Sequence, residues 1–138
     1  MDERTAVIDL TIAYAYALDD RRFEDLRDIF TADAVGDLAG VHCDGIEAII
    51  ERIRRALTRL DASQHVVTNQ QVRIDGDEGT CRSYLVAQHV KRGLAGGENF
   101  IMAGTYTDRL ARTPAGWRIA ARSLEIIWTE GNPAVTGR

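Results

Sequence analysis

Six side chains spread along the sequence have the types that move protons or hold developing charge: Tyr14, Asp19, His65, Asn69, His89 and Arg122. A histidine has its ordinary pKa nearest neutrality, so it can take and return a proton under physiological conditions. A carboxylate beside it fixes the tautomer. A phenol donates a hydrogen bond to a forming oxyanion, and a guanidinium stabilises negative charge. Each also has an ordinary structural use. His65 shares a strand face with Val67 and Asn69, and His89 with Cys81, Leu85 and Ala87. A lone histidine among apolar neighbours is more often a hydrogen-bonded core residue than a base. Arg122 stands in the row Ala120, Arg122, Leu124, Ile126, Trp128, the more apolar face of its strand. Burying it unpaired costs too much, so it requires a carboxylate, for which Asp19 and Glu125 are candidates, or a ligand anion. Tyr14 lies in a helical apolar stripe, where its hydroxyl needs a partner or a cavity wall. Asp19 follows five residues later, rotated by about 140° in an unbroken helix. It joins Tyr14 only if the Asp19-Asp-Arg-Arg22 break turns it inward, and is otherwise a surface charge or part of a cap. His42 falls in a loop and carries no reading.

The elements that must position these groups follow from periodicity. Val7, Leu10, Thr11, Tyr14, Ala15 and Leu18 recur at three- and four-residue spacing and predict one helix. Phe23, Leu26, Ile29 and Phe30 predict a second, short one, with Asp20 as its N-cap. Residues 32–43 read as a short extended piece with loops at Gly36 and Gly40. Ile46, Ile49, Ile50, Ile53, Leu57 and Leu60 mark the clearest helix, with Arg52, Arg54, Arg55 and Arg59 as a solvated face between them. After Ala62 the period changes to two. Strands are predicted at about 64–74, 79–92, 99–111 and 116–128, broken at Asp75-Gly-Asp77, Gly93–Gly97 and Thr113-Pro-Ala-Gly116. Short breaks predict consecutive hairpins, hence an antiparallel meander. Helices first and strands after give an α+β domain with the helices on one face of a curved sheet. One domain is expected over 1–138, with a core at about 5–130 and a loose tail from Asn132.

Composition narrows the partners. With 138 residues, 45% apolar and 28% charged, the chain is an ordinary globular mixture. A net charge of −4 is the wrong sign for a nucleic-acid surface. No apolar run reaches the roughly 20 residues that span a bilayer, and Asp2, Glu3 and Asp9 interrupt any apolar leader. Cys43 and Cys81, far apart and outside any CxxC pair, fit reduced thiols in the cytoplasm. His42, His65 and His89 lack metal-ligand spacing, so no metal is expected. Gly93–Gly97 joins two strands rather than opening a helix, which argues against nucleotide binding.

Larger pieces of the sequence resemble a known group. Ala17-Leu-Asp-Asp-Arg-Arg-Phe-Glu-Asp-Leu-Arg-Asp-Ile-Phe30 with Asp33-Ala34, Gln64-His-Val-Val-Thr-Asn69, Ala103-Gly-Thr-Tyr-Thr-Asp108, and Gly116-Trp-Arg-Ile119 with Arg122 and Trp128 occur in one order over about residues 5–130. They are similar to SnoaL-like (polyketide-cyclase-like) members of the nuclear-transport-factor-2-like superfamily. The resemblance implies a cone-shaped α+β barrel and a homo-oligomer, dimer or trimer. Within the group it is nearest to three cofactor-free lyases: scytalone dehydratase, bile-acid 7α-dehydratase and lindane dehydrochlorinase. It implies an Asp-His pair at Asp19 and His65, with Tyr14 and Arg122 completing a catalytic set. Asn69, His89, Phe100, Met102 and Trp128 would line a pocket for a small hydrophobic molecule. The chain departs from scytalone dehydratase at Gly104 and Leu38, where that enzyme has a strand asparagine and a substrate-binding tyrosine. Two functions are therefore expected: a dehydratase-like lyase or isomerase working by Asp-His proton transfer, or a module of the same fold that only binds or assembles. Polyketide cyclisation and epoxide opening are further chemistries of this fold class.

Overall fold

A computed structural model of the chain describes residues 2–137. Helix α1 runs Glu3–Asp19. It starts because the Asp2 carboxylate accepts the Thr5 amide at 2.7 Å, satisfying one of the orphan donors of the first turn. It buries Val7, Thr11, Tyr14, Ala15 and Leu18, as the stripe predicts. Arg21 ends it. With φ 59 the chain turns left-handed, and its Nη1 donates to the Leu18 carbonyl at 2.8 Å, one of the acceptors left open at the helix end. The expected second helix is a 3-10 turn, Phe23–Asp28, without a side-chain cap. Asp20 does not cap it: this residue is the C-cap of α1 and pairs with Arg22 at 3.3 Å. Six residues bury only Phe23 and Leu26, too little apolar stripe to sustain α-helix.

The extended piece is two strands, β1 (Phe30–Leu38) and β2 (Val41–Asp44). They pair antiparallel around Ala39 and Gly40, both at positive φ, as a two-residue primed hairpin turn requires. Helix α2, Ile46–Leu57, then buries Ile46, Ile49, Ile50, Ile53 and Leu57 against β1 and β2. Ile49 is wholly buried, and cutting it to alanine would cost about 2–5 kcal/mol.

The strands β3 (Ala62–Asp75), β4 (Glu78–Val90), β5 (Asn99–Thr113) and β6 (Gly116–Gly131) form the expected antiparallel meander. The sheet is larger than those four. β1 joins β6 in parallel and β2 extends the edge, giving an open six-stranded sheet ordered β2-β1-β6-β5-β4-β3. One extra residue interrupts three of the ladder positions: in β3 Asn69-Gln70 oppose Ser83 alone, and in β6 Ala120 and Ile127 are unpaired extras. Such bulges bend and twist a strand, which curves the sheet around the helices.

The last stretch is held, not loose. Asn132 Nδ2 donates to the carbonyls of Ala95 (3.1 Å) and Gly97 (2.9 Å), and its Oδ1 accepts the Ala134 amide. Pro133–Thr136 form a 3-10 turn that buries Val135 completely. Apolar burial and an asparagine cap tie it to the Gly93–Gly97 loop. Arg138, the end of the expected tail, lies outside the described residues. No helix among the described residues is long and apolar enough to cross a membrane.

Candidate active site

Asp19 needs no inward turn of the chain to meet His65. As the last residue of α1 it lies over β3, against which the helix packs, and its carboxylate reaches across. Oδ1 accepts from His65 Nδ1 at 2.7 Å and from Ser63 Oγ at 3.0 Å, and Oδ2 accepts the His65 backbone N–H at 2.8 Å. Arg21 Nη1 donates to Ser63 Oγ at 2.8 Å, so a positive charge stands behind the cluster. Burial alone would push the Asp19 carboxyl up. The hydrogen bonds from the His65 ring and amide and from Ser63 outweigh it and hold the group below its ordinary value. An ionised Asp19 on Nδ1 places the imidazole proton there. Nε2 is left as the basic nitrogen.

His65 is also part of the wall of an open cavity of about 320 Å³ bordered by α1, α2, the sheet and the C-terminal turn. The body of that wall is apolar: Leu18, Ile53, Leu57, Leu85, Met102 and Ile126. His89 lines it too, its ring 6.1 Å from that of His65 and edge-on to it, with Nδ1 3.1 Å from the Phe100 carbonyl. Asp19 stands behind His65, bordering a separate groove with Ile12, Tyr16 and Gln64. The pair therefore presents an imidazole to the cavity and keeps the carboxylate out of it.

Tyr14 and Tyr106 also line the cavity, with ring centroids 5.7 Å apart, edge to face. Beneath them lies Arg122. Its guanidinium carbon is 4.3 Å from the Tyr14 ring centroid and 3.9 Å from that of Tyr106. Nε and Nη2 donate to the two Asp108 oxygens at 2.7 and 2.8 Å. Both side chains of this pair are fully buried. Arg122 Nη1 is buried with no hydrogen-bond partner, and the two aromatic faces are its compensation. Burial would lower the Arg122 pKa, but Asp108 more than offsets this and keeps it protonated. Removing either partner would leave an uncompensated buried charge, at about 3–5 kcal/mol. Burial pushes the Tyr14 hydroxyl up against the opposing Arg122 charge, so it stays protonated at neutral pH and can donate. Cys81, opposite Asp108 in the ladder, is pushed up by burial to about 11 and offers no thiolate at neutral pH.

The structure thus brings Tyr14, His65, His89 and Met102 to one wall, with Asp19 bonded behind His65. Other expected residues lie elsewhere. Arg122 sits under the tyrosine rings instead of on the wall, and its carboxylate is Asp108, neither Asp19 nor Glu125. Asn69 is exposed at the β3 bulge with φ 59, where its place on the His65 face is lost. Its neighbour Gln70 turns in to Thr11 at 3.1 Å. Trp128 is 49% exposed. The extra residue at Ile127 sets it opposite Ala103, on the face away from Met102. Phe100 is buried in the core and touches the cavity only through His89. Ser63, Arg21 and Asp108 were not anticipated. Ser63 was within reach, since it precedes His65 by two on the same strand face. Among the described residues no group of three or more His, Cys, Asp or Glu is placed to hold a metal ion.

Comparison with known proteins agrees with this architecture. The SnoaL-like domain family is matched over residues 1–123, and the chain belongs to that family. An uncharacterized protein of Mycobacterium tuberculosis is 32% identical over 127 residues, 88% of this chain and 84% of that one. Among solved structures, a protein of Kribbella flavida superposes with a TM-score of 0.90 at 23% identity, covering 99% and 97% of the two chains. A chain assigned as a scytalone dehydratase from Novosphingobium aromaticivorans gives 0.84 at 22% identity, covering 93% and 86%. A hexachlorocyclohexane dehydrochlorinase from Novosphingobium barchaimii gives 0.80 at 19% identity, covering 94% and 90%. These likenesses are of fold.

Proposed function

We propose that the chain is a cofactor-free lyase or isomerase that moves a proton on a small hydroxylated or keto compound. The observation that carries this is the Asp19–His65 pair, hydrogen-bonded at 2.7 Å, with the imidazole on the wall of a cavity whose body is apolar. An apolar cavity of roughly 150 Å³ takes a benzene ring. About 320 Å³ therefore suits about a dozen non-hydrogen atoms, one or two rings. In the proposed reaction His65 Nε2 takes a proton from carbon next to a carbonyl. The electron pair moves onto the carbonyl oxygen, where the Tyr14 hydroxyl donates to it. Collapse of the enolate expels a β-hydroxyl, which leaves as water with the proton carried by His65. Return of that proton to a different carbon gives isomerisation instead. Asp19 holds the tautomer and balances the imidazolium. Arg122 is a positioning residue, with Asp108 fixing it and its charge supporting the Tyr14 ring. His89 and Met102 are pocket walls.

The test is water loss from β-hydroxy ketones of one or two rings, followed by enone absorbance. Asp19→Asn and His65→Ala should each lose about 10²–10⁴-fold in kcat, the contribution of a positioned base. Turnover that survives both substitutions removes the mechanism and leaves a cavity that only binds.

We also propose a cytoplasmic protein that assembles with itself. Two buried, unpaired thiols support the compartment. A transverse row on the outer sheet face, Val66, Val86, Ala103 and Trp128, each opposite the next in the ladder, supports assembly. Trp128→Glu should lower the mass measured by light scattering on a sizing column. A wild type that elutes as monomer contradicts self-assembly.

A further inference from the structure

The wall of the main cavity carries charge of one sign. Helix α2 contributes Arg52 and Arg55 and the turn after it contributes Arg59, and among the described residues no Asp or Glu lines that cavity. This is in a chain whose net charge is −4. The sequence read these arginines as a solvated face, which holds for Arg54, near Glu24 and Glu51, and for Arg55, paired with Glu51 at 3.1 Å. Arg52 and Arg59 differ. Neither has a carboxylate within ion-pair distance among the described residues. Arg52 Nε is buried without a hydrogen-bond partner. Arg59 holds the Thr136 carbonyl at 3.3 Å, at the lip formed by the C-terminal turn. Buried donors are ordinarily satisfied, so Arg52, a wall residue with one donor unfilled and no carboxylate partner among the described residues, stands beside the cavity with its charge uncompensated.

We infer that the compound held in this cavity carries a carboxylate, bound by Arg52 and Arg59, with its apolar body against Leu57, Met102 and Ile126. The guanidinium edge offers parallel N–H donors matched to a planar carboxylate. The one-signed wall raises the local concentration of anions despite the acidic chain. The proposed substrate class becomes a hydroxy or keto acid with one or two rings. That extension to chemistry rests on the proton-transfer reading, whereas the binding does not.

The test uses a matched pair of probes that need no turnover, 2-naphthoate and the neutral 2-naphthamide, with 2-naphthyl phosphate as the rival anion. The wild type should bind 2-naphthoate about tenfold or more tightly than the amide, with the difference shrinking as salt rises. Arg52→Gln and Arg59→Gln should each remove most of that preference while amide binding persists, which also reports that the variants fold. The ratio in the wild type and its salt dependence stand even if a variant does not fold. Equal binding of acid and amide, no binding of the acid at about 1 mM, or tighter binding of the phosphate overturns the inference. His65→Ala should keep the preference. A preference retained alongside unimpaired turnover in His65→Ala and Asp19→Asn would overturn the mechanism and leave the carboxylate site standing.

Discussion

Three donors converge on the Asp19 carboxylate, and the arrangement has a pH signature. Its folded pKa lies below the ordinary value, so it stabilises the fold above the unfolded carboxylate pKa of about 4. That stabilisation is lost as pH falls through the folded value. Asp19→Asn should therefore lower Tm at pH 7, and the gap to wild type should shrink as pH drops below about 4. A gap that stays constant across that range would mean the carboxylate is not held by these hydrogen bonds. At this scale the sequence was only partly legible. Residue types and periodicity left Asp19 and His65 as separate possibilities, and only the family resemblance joined them. Helix geometry was correct that Asp19 does not share the face of Tyr14. It did not show that the two serve the site from opposite sides, Tyr14 toward β5 and Asp19 toward β3.

The elements were legible wherever period and turn chemistry agreed. α1, α2 and four long strands lie close to where the spacing puts them. What the spacing could not give is register. Counting back from the Pro114-Ala115 turn sets Arg122 opposite Thr107; the extra residue at Ala120 moves the pairing by one, to Asp108. The same device at Ile127 takes Trp128 off the cavity face, and at Asn69-Gln70 it exchanges an expected wall residue for one that anchors α1. A one-residue slip reverses every side chain beyond it, so each bulge corrects an alternation argument that was sound up to that point. Gly104 belongs to this geometry. A Cβ there would stand 2.4 Å from the Glu125 carbonyl oxygen, whereas one at Gly36 meets only side-chain atoms, at 3.5 Å. Gly104→Ala should destabilise by about 1–3 kcal/mol and Gly36→Ala much less, read from denaturant midpoints. Equal midpoints would show that β5 and β6 do not close on each other as described.

In the molecule as a whole, the helices and the C-terminal turn close one face of an open sheet and leave a cavity between the layers. Its wall is apolar in the body, protonic at His65 and Tyr14, and cationic along α2 and the turn that follows it. The order of the helical and two-residue periods anticipated the layers but not the contribution of the arginines, because a helix face reads as solvated until the opposite layer is in place. The central claim is that His65, oriented by Asp19, removes a proton from carbon inside that cavity. Hydrogen–deuterium exchange of 2-tetralone in D₂O tests it without knowledge of the natural leaving group, since the ketone has eleven or so non-hydrogen atoms, fits the cavity by volume and has acidic α-protons. The wild type should accelerate loss of the α-proton NMR signal well beyond buffer, and His65→Ala and Asp19→Asn should each return it to within about a hundredth of the wild-type excess. Exchange no faster than buffer in the wild type, or equally fast in all three proteins, would contradict the account.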